Sequence, residues 1–336
     1  MERHLMCADK RQDLEIVYTW VDDRLPGYQT SLQKYSKNPH DLNPNRTRDN
    51  LDMLMYSLRS LDLYAPWAKR ITLISMRPQI PDWLNVDHPD INVIHHDQFI
   101  PKEDLPTFSS FSIISNFQRL KTVGIRFLYL EDDMLFTCPV GQSLFLNPQG
   151  QIKVYPRLAH TPDAAAYNLL NTSPWNFALS HCNHLLNEKY SGGQSQKRRH
   201  VNHIPIVVDR DVWQKLWDVW PVEMASTSAS KFRSKGNVAP EYLYLQYLVN
   251  ESLGEQVSLL DTYRLSGYIG LENNILLNEL GLLCLKLLNA PILTINDNFG
   301  EDPKKYVVSK IRKFLNNRYP IPGRFEKSDQ AIVKNV

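Results

Sequence analysis

Residues 126–133 read Arg-Phe-Leu-Tyr-Leu-Glu-Asp-Asp, an apolar run that ends in three consecutive carboxylates before Met134-Leu135-Phe136 turns apolar again. Phe127 to Leu130 reads as a covered β-strand, because short aromatic and aliphatic runs suit a buried sheet. Glu131, Asp132 and Asp133 then sit where the strand leaves the sheet, the edge at which open α/β proteins bind ligands. Adjacent carboxylates repel one another unless a cation neutralises them, and hard oxygen donors suit Mg²⁺ or Mn²⁺. A plain acidic turn after a core strand is the competing reading. Two further predicted strands end in similar groups, Asp22-Asp23 and Asn296-Asp297-Asn298. Three such ends on one sheet edge can build a single site for a cation and a diphosphate. His203, just ahead of the apolar run Ile204-Pro-Ile206, is a candidate proton acceptor, and Arg233 in Ser230-Lys-Phe-Arg-Ser234 can reach phosphate oxygens. Taken singly, the first is more often a satisfied structural histidine and the second a surface charge.

The elements that must position these groups alternate. Residues 14–21 read as a first strand closed by a Pro26-Gly27 turn. Leu51, Leu54, Met55, Leu58 and Leu61 repeat at helical spacing over residues 50–64, and Pro66 ends that helix. Strands at 71–76 and 91–95 follow, then a helix at 109–122 leading into the acidic strand end. This alternation predicts an α/β fold with a mostly parallel sheet and crossover helices. An inserted helical region spans 163–171 and 175–190, with further helices at 209–220, 240–253 and 273–289. A last strand at 292–295 precedes a basic C-terminal helix at about 303–317. The chain reads as a single catalytic domain over 1–336. Its one internal boundary, if any, falls in the basic loop Ser191-Gly-Gly-Gln-Ser-Gln-Lys-Arg-Arg199, a solvated loop or an acceptor-binding strap.

The chain of 336 residues carries 38 Lys and Arg against 36 Asp and Glu, a balance that gives no reason to expect nucleic acid as partner. Its four cysteines, Cys7, Cys138, Cys182 and Cys284, are scattered without zinc spacing, which fits reduced thiols in the cytoplasm. The His181-Cys182-Asn-His184 cluster reads as packed helix rather than a metal site, since no second ligand pair follows. No signal peptide or transmembrane span is expected, because residues 1–14 are polar and the apolar stretch 275–293 is interrupted by Asn278, Glu279, Lys286 and Pro291. The expected location is cytoplasmic, with room for peripheral association on the inner face of the membrane. G-x-G-x-x-G, Walker and G-x-S-x-G motifs are missing, which disfavours dinucleotide, NTPase and serine-hydrolase chemistry.

Val17-Tyr-Thr-Trp-Val-Asp22 resembles the first conserved block of the Stealth proteins. That family includes bacterial capsular polysaccharide hexose-1-phosphate transferases and the lysosomal-enzyme N-acetylglucosamine-1-phosphotransferase. Its second block is similar to Arg48-Asp-Asn50, Tyr56-Ser-Leu-Arg-Ser60, Ala65-Pro-Trp67, Leu105-Pro-Thr-Phe-Ser109 and Phe127 to Asp133. The third resembles His203-x-Pro205 through Lys231-Phe-Arg233, the fourth Ile295-Asn-Asp-Asn298, and Tyr319-Pro-x-Pro-x-x-Phe-Glu326 also fits. The resemblance runs over nearly the whole chain in the family's order. It implies a GT-A-like fold and transfer of a sugar-1-phosphate, an N-acetylhexosamine-1-phosphate by expectation, from a UDP-sugar resembling UDP-GlcNAc. The acceptor would be a hydroxyl of an oligo- or polysaccharide in capsule or exopolysaccharide synthesis, with UMP leaving. It places His203, Arg233 and Asp133 at the reaction centre, the metal on Asp133 with Asp132 and Asp297, and the nucleotide near Trp20, Asp22, Arg48, Asn50 and Arg59.

The chain departs from the family pattern in four ways. Glu131 stands for the usual Asn, Asp23 for a frequent Gly, the Asn50–Tyr56 spacing is one residue longer, and Ile114 falls where the family has an acid. The missing acid's role is then vacant or supplied by Glu131. Phosphoryl transfer itself asks mainly for positioning and charge neutralisation. A guanidinium such as Arg233 can pair with the equatorial oxygens, and a neutral imidazole such as His203 is a sensible base near pH 7. The rival functions are a metal-dependent glycosyltransferase that releases UDP and an inactive glycan-binding homologue.

Overall fold

The computed structural model describes residues 14–37, 39–42, 47–163, 173–300 and 302–327. The first half alternates β1 (Glu15–Thr19), α1 (Tyr28–Tyr35), α2 (Met53–Tyr64), β2 (Ile71–Ser75), β3 (Ile91–His95), α3 (Ser110–Ser115), β4 (Arg126–Glu131) and β5 (Met134–Phe136). The middle holds β6 (Ile152–Val154), β7 (Pro156–His160), α4 (Pro174–Ser191), β8 (Arg199–Val201), β9 (Ile206–Asp209), α5 (Arg210–Val219), α6 (Pro221–Ser228) and α7 (Pro240–Asn250). The rest comprises β10 (Gly254–Gln256), α8 (Leu259–Leu265), β11 (Ser266–Leu271), α9 (Ile275–Leu288), β12 (Ile292–Asp297) and α10 (Lys305–Arg318).

The central sheet has the order β3-β2-β1-β4-β9. The pairs β3-β2, β2-β1 and β1-β4 are parallel, and β9 closes the edge antiparallel to β4. The α/β architecture with a mostly parallel sheet is as expected from the alternation. Strands β2 and β3 lie on one side of β1 and β4 on the other, so the order reverses between β1 and β4, where such sheets open a crevice at their carboxyl ends. The register sets Tyr18 beside Leu130 and Thr19 beside Glu131, which brings Trp20 and the acidic turn to that crevice.

A second sheet, β11-β12-β5, is joined to the first through the two-residue turn Asp132-Asp133. β12 runs parallel to β11 and antiparallel to β5, with Thr294 opposite Met134. Helix α2 lies between the sheets, and its residues 53–61 are buried on every side. Ser57 and Ser60 make that possible: the Tyr18 and Ser57 hydroxyls bond at 2.7 Å, Ser57 donates to the Met134 carbonyl, and Phe136 N donates to Ser60 Oγ at 3.0 Å. Small hydroxyl side chains thus satisfy both strands while the helix backbone approaches closely.

Several expected elements differ. The helix at 109–122 stops at Ser115, because Asn116 Nδ2 turns back to the Ser112 carbonyl at 2.9 Å and across to Ser228 Oγ at 2.8 Å, and a single turn over Phe117–Arg119 follows. The helix expected at 209–220 is α5, ending at Val219; α6, which was not expected, starts at Pro221, a residue that suits the first position of a helix. The helix expected at 163–171 falls almost wholly outside the described residues. His181, Cys182 and His184 lie on α4 as ordinary helix residues: Cys182 is buried and accepts from Ala239 N, His181 is half-buried and His184 faces solvent. The loop 191–199 leaves α4 through Gly192 in the left-handed region, φ 57°, and runs into β8.

Candidate active site

The crevice between β1 and β4 is the mouth of a cavity of about 820 Å³. Trp20, Arg48, Asp132, Asp133, His203, Arg233 and Asp297 all line it. Two of the three expected strand ends, the acidic turn and Asn296-Asp297, meet at the cavity for a local reason, whereas at the β1 end Trp20 reaches it and Asp22 and Asp23 are taken up by Arg24 and Arg48. β5 follows the acidic turn directly and pairs with β12, so Ile295 N donates to the Asp133 carbonyl at 3.0 Å and Asn296 Nδ2 approaches Asp133 Oδ2 at 3.5 Å. Asp297 accepts from Asn50 Nδ2 at 2.8 Å and from Phe299 N at 3.0 Å.

His203 sits in the short connection between β8 and β9. Asn202 Oδ1 caps its amide at 3.0 Å, and Thr294 Oγ1 donates to its carbonyl at 2.9 Å, tying it to β12. Its Nε2 lies 3.5 Å from Asp133 Oδ2 and 3.8 Å from Glu131 Oε2. Burial alone would lower the imidazole pKa, but Glu131 and Asp133 outweigh it and hold it up at about 10. Without a cation these two carboxylates favour the protonated imidazole. The neutral base expected from the sequence requires the carboxylates to be compensated first.

Arg233 is held from below rather than by an acid. Its guanidinium lies 4.3 Å from the centre of the Phe111 ring and 5.7 Å from that of Trp175, and Nη2 donates to Ser110 Oγ at 2.6 Å. Stacking fixes the planar fork and leaves donors for an anion. Burial acts against its charge, while Glu131 and Glu241 favour it.

Glu131, Asp133 and His203 each present a ligand atom within 4.8 Å of the others. Asp133 Oδ1 is buried with no hydrogen-bond partner, the state of a carboxylate oxygen shaped to meet a cation. The residues therefore fit a divalent ion, though not the set expected from the resemblance. The turn brings Glu131 and Asp133 together, while the first charged neighbour of Asp132 is Asp49. Burial, then Asp49, Asp133 and Glu131, raise the Asp132 carboxyl well above the usual range. Asp297 is held by Asn50 outside the cluster.

Four other expected residues are placed less simply. Trp20 donates from Nε1 to Asp49 Oδ2 at 3.3 Å, at the cavity wall. Arg48 lines the cavity while paired with Asp23 at 2.8 Å. Asp22 is clamped by Arg24 at 2.7 Å and does not line the cavity. Arg59 does not either: it is buried further along α2 against Glu326 at 2.7 Å and the Tyr319 carbonyl at 2.9 Å.

Ile114 is fully buried in the core. Its helix packs against α7, whose first turn sends Glu241 into the cavity, and Glu241 Oε2 is buried without a partner. Burial and then Glu131 push the Glu241 carboxyl up to about 7. Asp49 is a second unforeseen carboxylate, raised to about 6 by burial and Asp52. Both hide behind ordinary helix chemistry. Pro240-Glu241 is a common helix start, and Asp49 Oδ1 accepts from Met53 N at 2.9 Å as a capping acid does.

Comparison with known proteins matches residues 46–154 to Stealth protein CR2, conserved region 2, and residues 202–250 to Stealth protein CR3, conserved region 3. The first span carries Asp49 and the acidic turn; the second carries His203, Arg233 and Glu241. An exopolysaccharide phosphotransferase of Streptomyces coelicolor is 30% identical over 96% of this chain and 54% of its own length. A capsular polysaccharide phosphotransferase of Haemophilus influenzae is 28% identical over 71% of this chain and 67% of its own. The chain spans about half the length of the first of these relatives. Among solved structures, the galactosyltransferase LgtC in complex with donor and acceptor sugar analogs is 10% identical, covering 91% of this chain and 95% of its own with a TM-score of 0.42. Mouse xyloside xylosyltransferase 1 is 10% identical over 84% and 97%, TM-score 0.38.

Proposed function

The chain belongs to the Stealth family, and from that premise we propose that it transfers a sugar-1-phosphate from a UDP-sugar to a glycan hydroxyl in capsule or exopolysaccharide synthesis, releasing UMP. N-acetylhexosamine-1-phosphate is the group expected to move. The observation that carries the reading is the confluence in one cavity of a cation-seeking pair, Glu131 and Asp133, with His203 and an arginine braced on aromatic rings.

Glu131 and Asp133 would hold Mg²⁺ or Mn²⁺, with His203 Nε2 left uncoordinated so that it can serve as the base. Such an ion, when bound, supplies charge neutralisation for the diphosphate and its leaving oxygen. Arg233 presents its free donors to the oxygens of the phosphoryl group in transfer, where charge shifts most. Ser110, Phe111 and Trp175 hold the guanidinium so that little reorganisation is needed. His203 takes the proton of the acceptor hydroxyl once the carboxylate charge around it is compensated. The acceptor oxygen forms the new bond to the sugar-bearing phosphorus, the bond from that phosphorus to the UMP oxygen breaks, and UMP leaves. Trp20 offers an aromatic wall and Arg48 a charge on the side expected for the nucleotide.

The test is the identity of the nucleotide product from protein, a UDP-N-acetylhexosamine, Mn²⁺ and an oligosaccharide acceptor. UMP together with an acceptor carrying a phosphodiester-linked sugar supports the reading. UDP would make the protein a glycosyltransferase instead.

A further inference from the structure

Helix α9 carries its apolar side outward. Leu276, Leu277, Leu280, Leu283, Leu287 and Leu288 are between 53% and 77% exposed, while Asn278 is buried. The inward face is dictated by close packing on β11. A Cβ at Gly281 would lie 2.4 Å from Ile269 Cδ1, and one at Gly267 would lie 2.4 Å from Leu285 Cδ2, so small residues let helix and strand touch. Scattered exposed leucines need no explanation, but six on one helix face form a contiguous patch of the kind that marks an interaction surface.

The charges around this face choose its occupant. Glu279 is the one carboxylate on the exposed side of α9, and Lys310 of α10 neutralises it at 2.8 Å. Tyr306, Lys310 and Lys313 stand at i, i+4 and i+7 on α10, so the side of that helix that reaches α9 carries an exposed tyrosine and two cations. Lys286 on α9 and Lys305 and Lys313 on α10 are exposed and enter no ion pair among the described residues. A leucine face rimmed by unneutralised lysines and a tyrosine matches an anionic lipid surface, with acyl chains for the leucines and headgroups for the rim. Two copies meeting through the same face would bury leucine on leucine but bring like-charged rims together. At 14 residues α9 is too short to span a bilayer, and no helix among the described residues is long and apolar enough to do so. It can lie in the interface.

We propose that the α9 leucine face, with the lysines of α9 and α10 at its rim, docks the protein peripherally on anionic membrane. The inference stands apart from the transfer reaction, since binding to lipid needs neither donor nor acceptor. It joins the reaction only through β11, which packs under α9 and carries Tyr268 into the catalytic cavity.

The experiment is flotation of the purified protein with vesicles of phosphatidylcholine alone and of phosphatidylcholine with phosphatidylglycerol. Wild type is expected to float with the anionic vesicles, and less so in high salt. Leu280→Glu with Leu287→Glu should cut the partition coefficient about tenfold or more, and Lys305→Glu with Lys313→Glu should remove the preference for anionic lipid. Both pairs lie on the surface, so thermal melts and UMP release in free solution should match wild type. Leu276→Ser with Leu287→Ser serves as the milder apolar variant should the glutamates disturb folding. Wild type that stays with the soluble fraction, or leucine variants that float as well as wild type, would overturn the proposal. A wild-type dimer by light scattering that these variants dissociate, with no flotation by either, would assign the face to a second copy.

Discussion

Asp133 and Glu241 each bury a carboxylate oxygen with no partner in a cavity they share with Glu131, His203 and Arg233. For Asp133 the missing partner is the proposed cation, and the expected effect of Asp133→Asn is loss of turnover by about 10²-fold or more with the fold retained. A readout apart from activity is available: Mn²⁺ should raise the melting temperature of wild type and leave that of Asp133→Asn unmoved. An equal shift in both would take Asp133 out of the ligand set. Glu241 makes a prediction about pH. Its carboxyl is raised from an ordinary 4.5 to about 7, by burial first and Glu131 second. The folded state thus holds a proton that the unfolded chain has released over that range. The stability Glu241 contributes is full below about 4.5 and is lost as pH rises through about 7. Glu241→Gln should therefore gain on wild type between pH 5 and pH 8, by roughly 1–3 kcal/mol in urea denaturation. A difference independent of pH would show that the carboxyl titrates normally. In turnover the same variant should be impaired, since Arg233 loses the neighbouring acid that favours its charge.

One strand does much of the positioning. β12 bonds the Asp133 carbonyl from Ile295 N, the His203 carbonyl from Thr294 Oγ1, and sends Asn296 toward Asp133. Thr294→Val keeps the branched shape and removes the hydroxyl, leaving the His203 carbonyl one donor short. The expected cost is about 1–2 kcal/mol of stability, with kcat falling more than KM rises. Unchanged kcat would show that His203 is placed without β12. The pairing of β12 with β5 joins residues about 160 apart, which local pattern cannot reveal. The elements with strong local signals were legible: the apolar runs of β1 to β4 and the helical spacing of α2. The three-residue strands β6, β8 and β10 were not, because so short a run shows neither alternation nor propensity, and nor was β7, which is exposed beyond Pro156 and carries no apolar face. The site divides similarly. Carboxylates ending an apolar strand stand out, whereas Asp49 and Glu241 sit where helices ordinarily begin with an acid. Ile114, on α3, stands in the sequence where the family has an acid, whose role is either vacant or supplied by Glu131. Its burial in the core gives a sharper expectation: Ile114→Glu should cost about 3 kcal/mol or more without restoring activity to Glu131→Asn. Recovery in that double variant would place the two side chains in one role after all.

At the scale of the whole molecule, the segment after α10 returns to the start of the fold. Tyr319 donates from its hydroxyl to the Phe136 carbonyl at 2.8 Å, Phe325 is buried, and Glu326 bridges to Leu84 on the backbone. Glu326 also receives both Nε and Nη2 of Arg59 at 2.7 Å, so the Tyr319 to Glu326 motif closes over α2 rather than over the cavity. This turns a residue expected beside the nucleotide into a structural one, and the two roles predict different measurements. Arg59 and Glu326 are about nine-tenths buried as side chains. Removing one leaves the other charged and unpaired in a poorly solvated place, which typically costs about 3–5 kcal/mol. Arg59→Met and Glu326→Leu should each lower the melting temperature, and the double variant should recover much of the loss because no orphan charge remains. In the folded fraction of every one of these proteins, KM for the UDP-sugar should stay at the wild-type value, since Arg59 does not line the cavity. A donor KM raised about tenfold by Arg59→Met, with melting unchanged and no recovery in the double variant, would return Arg59 to the nucleotide and leave the C-terminal closure to Tyr319 and Phe325 alone.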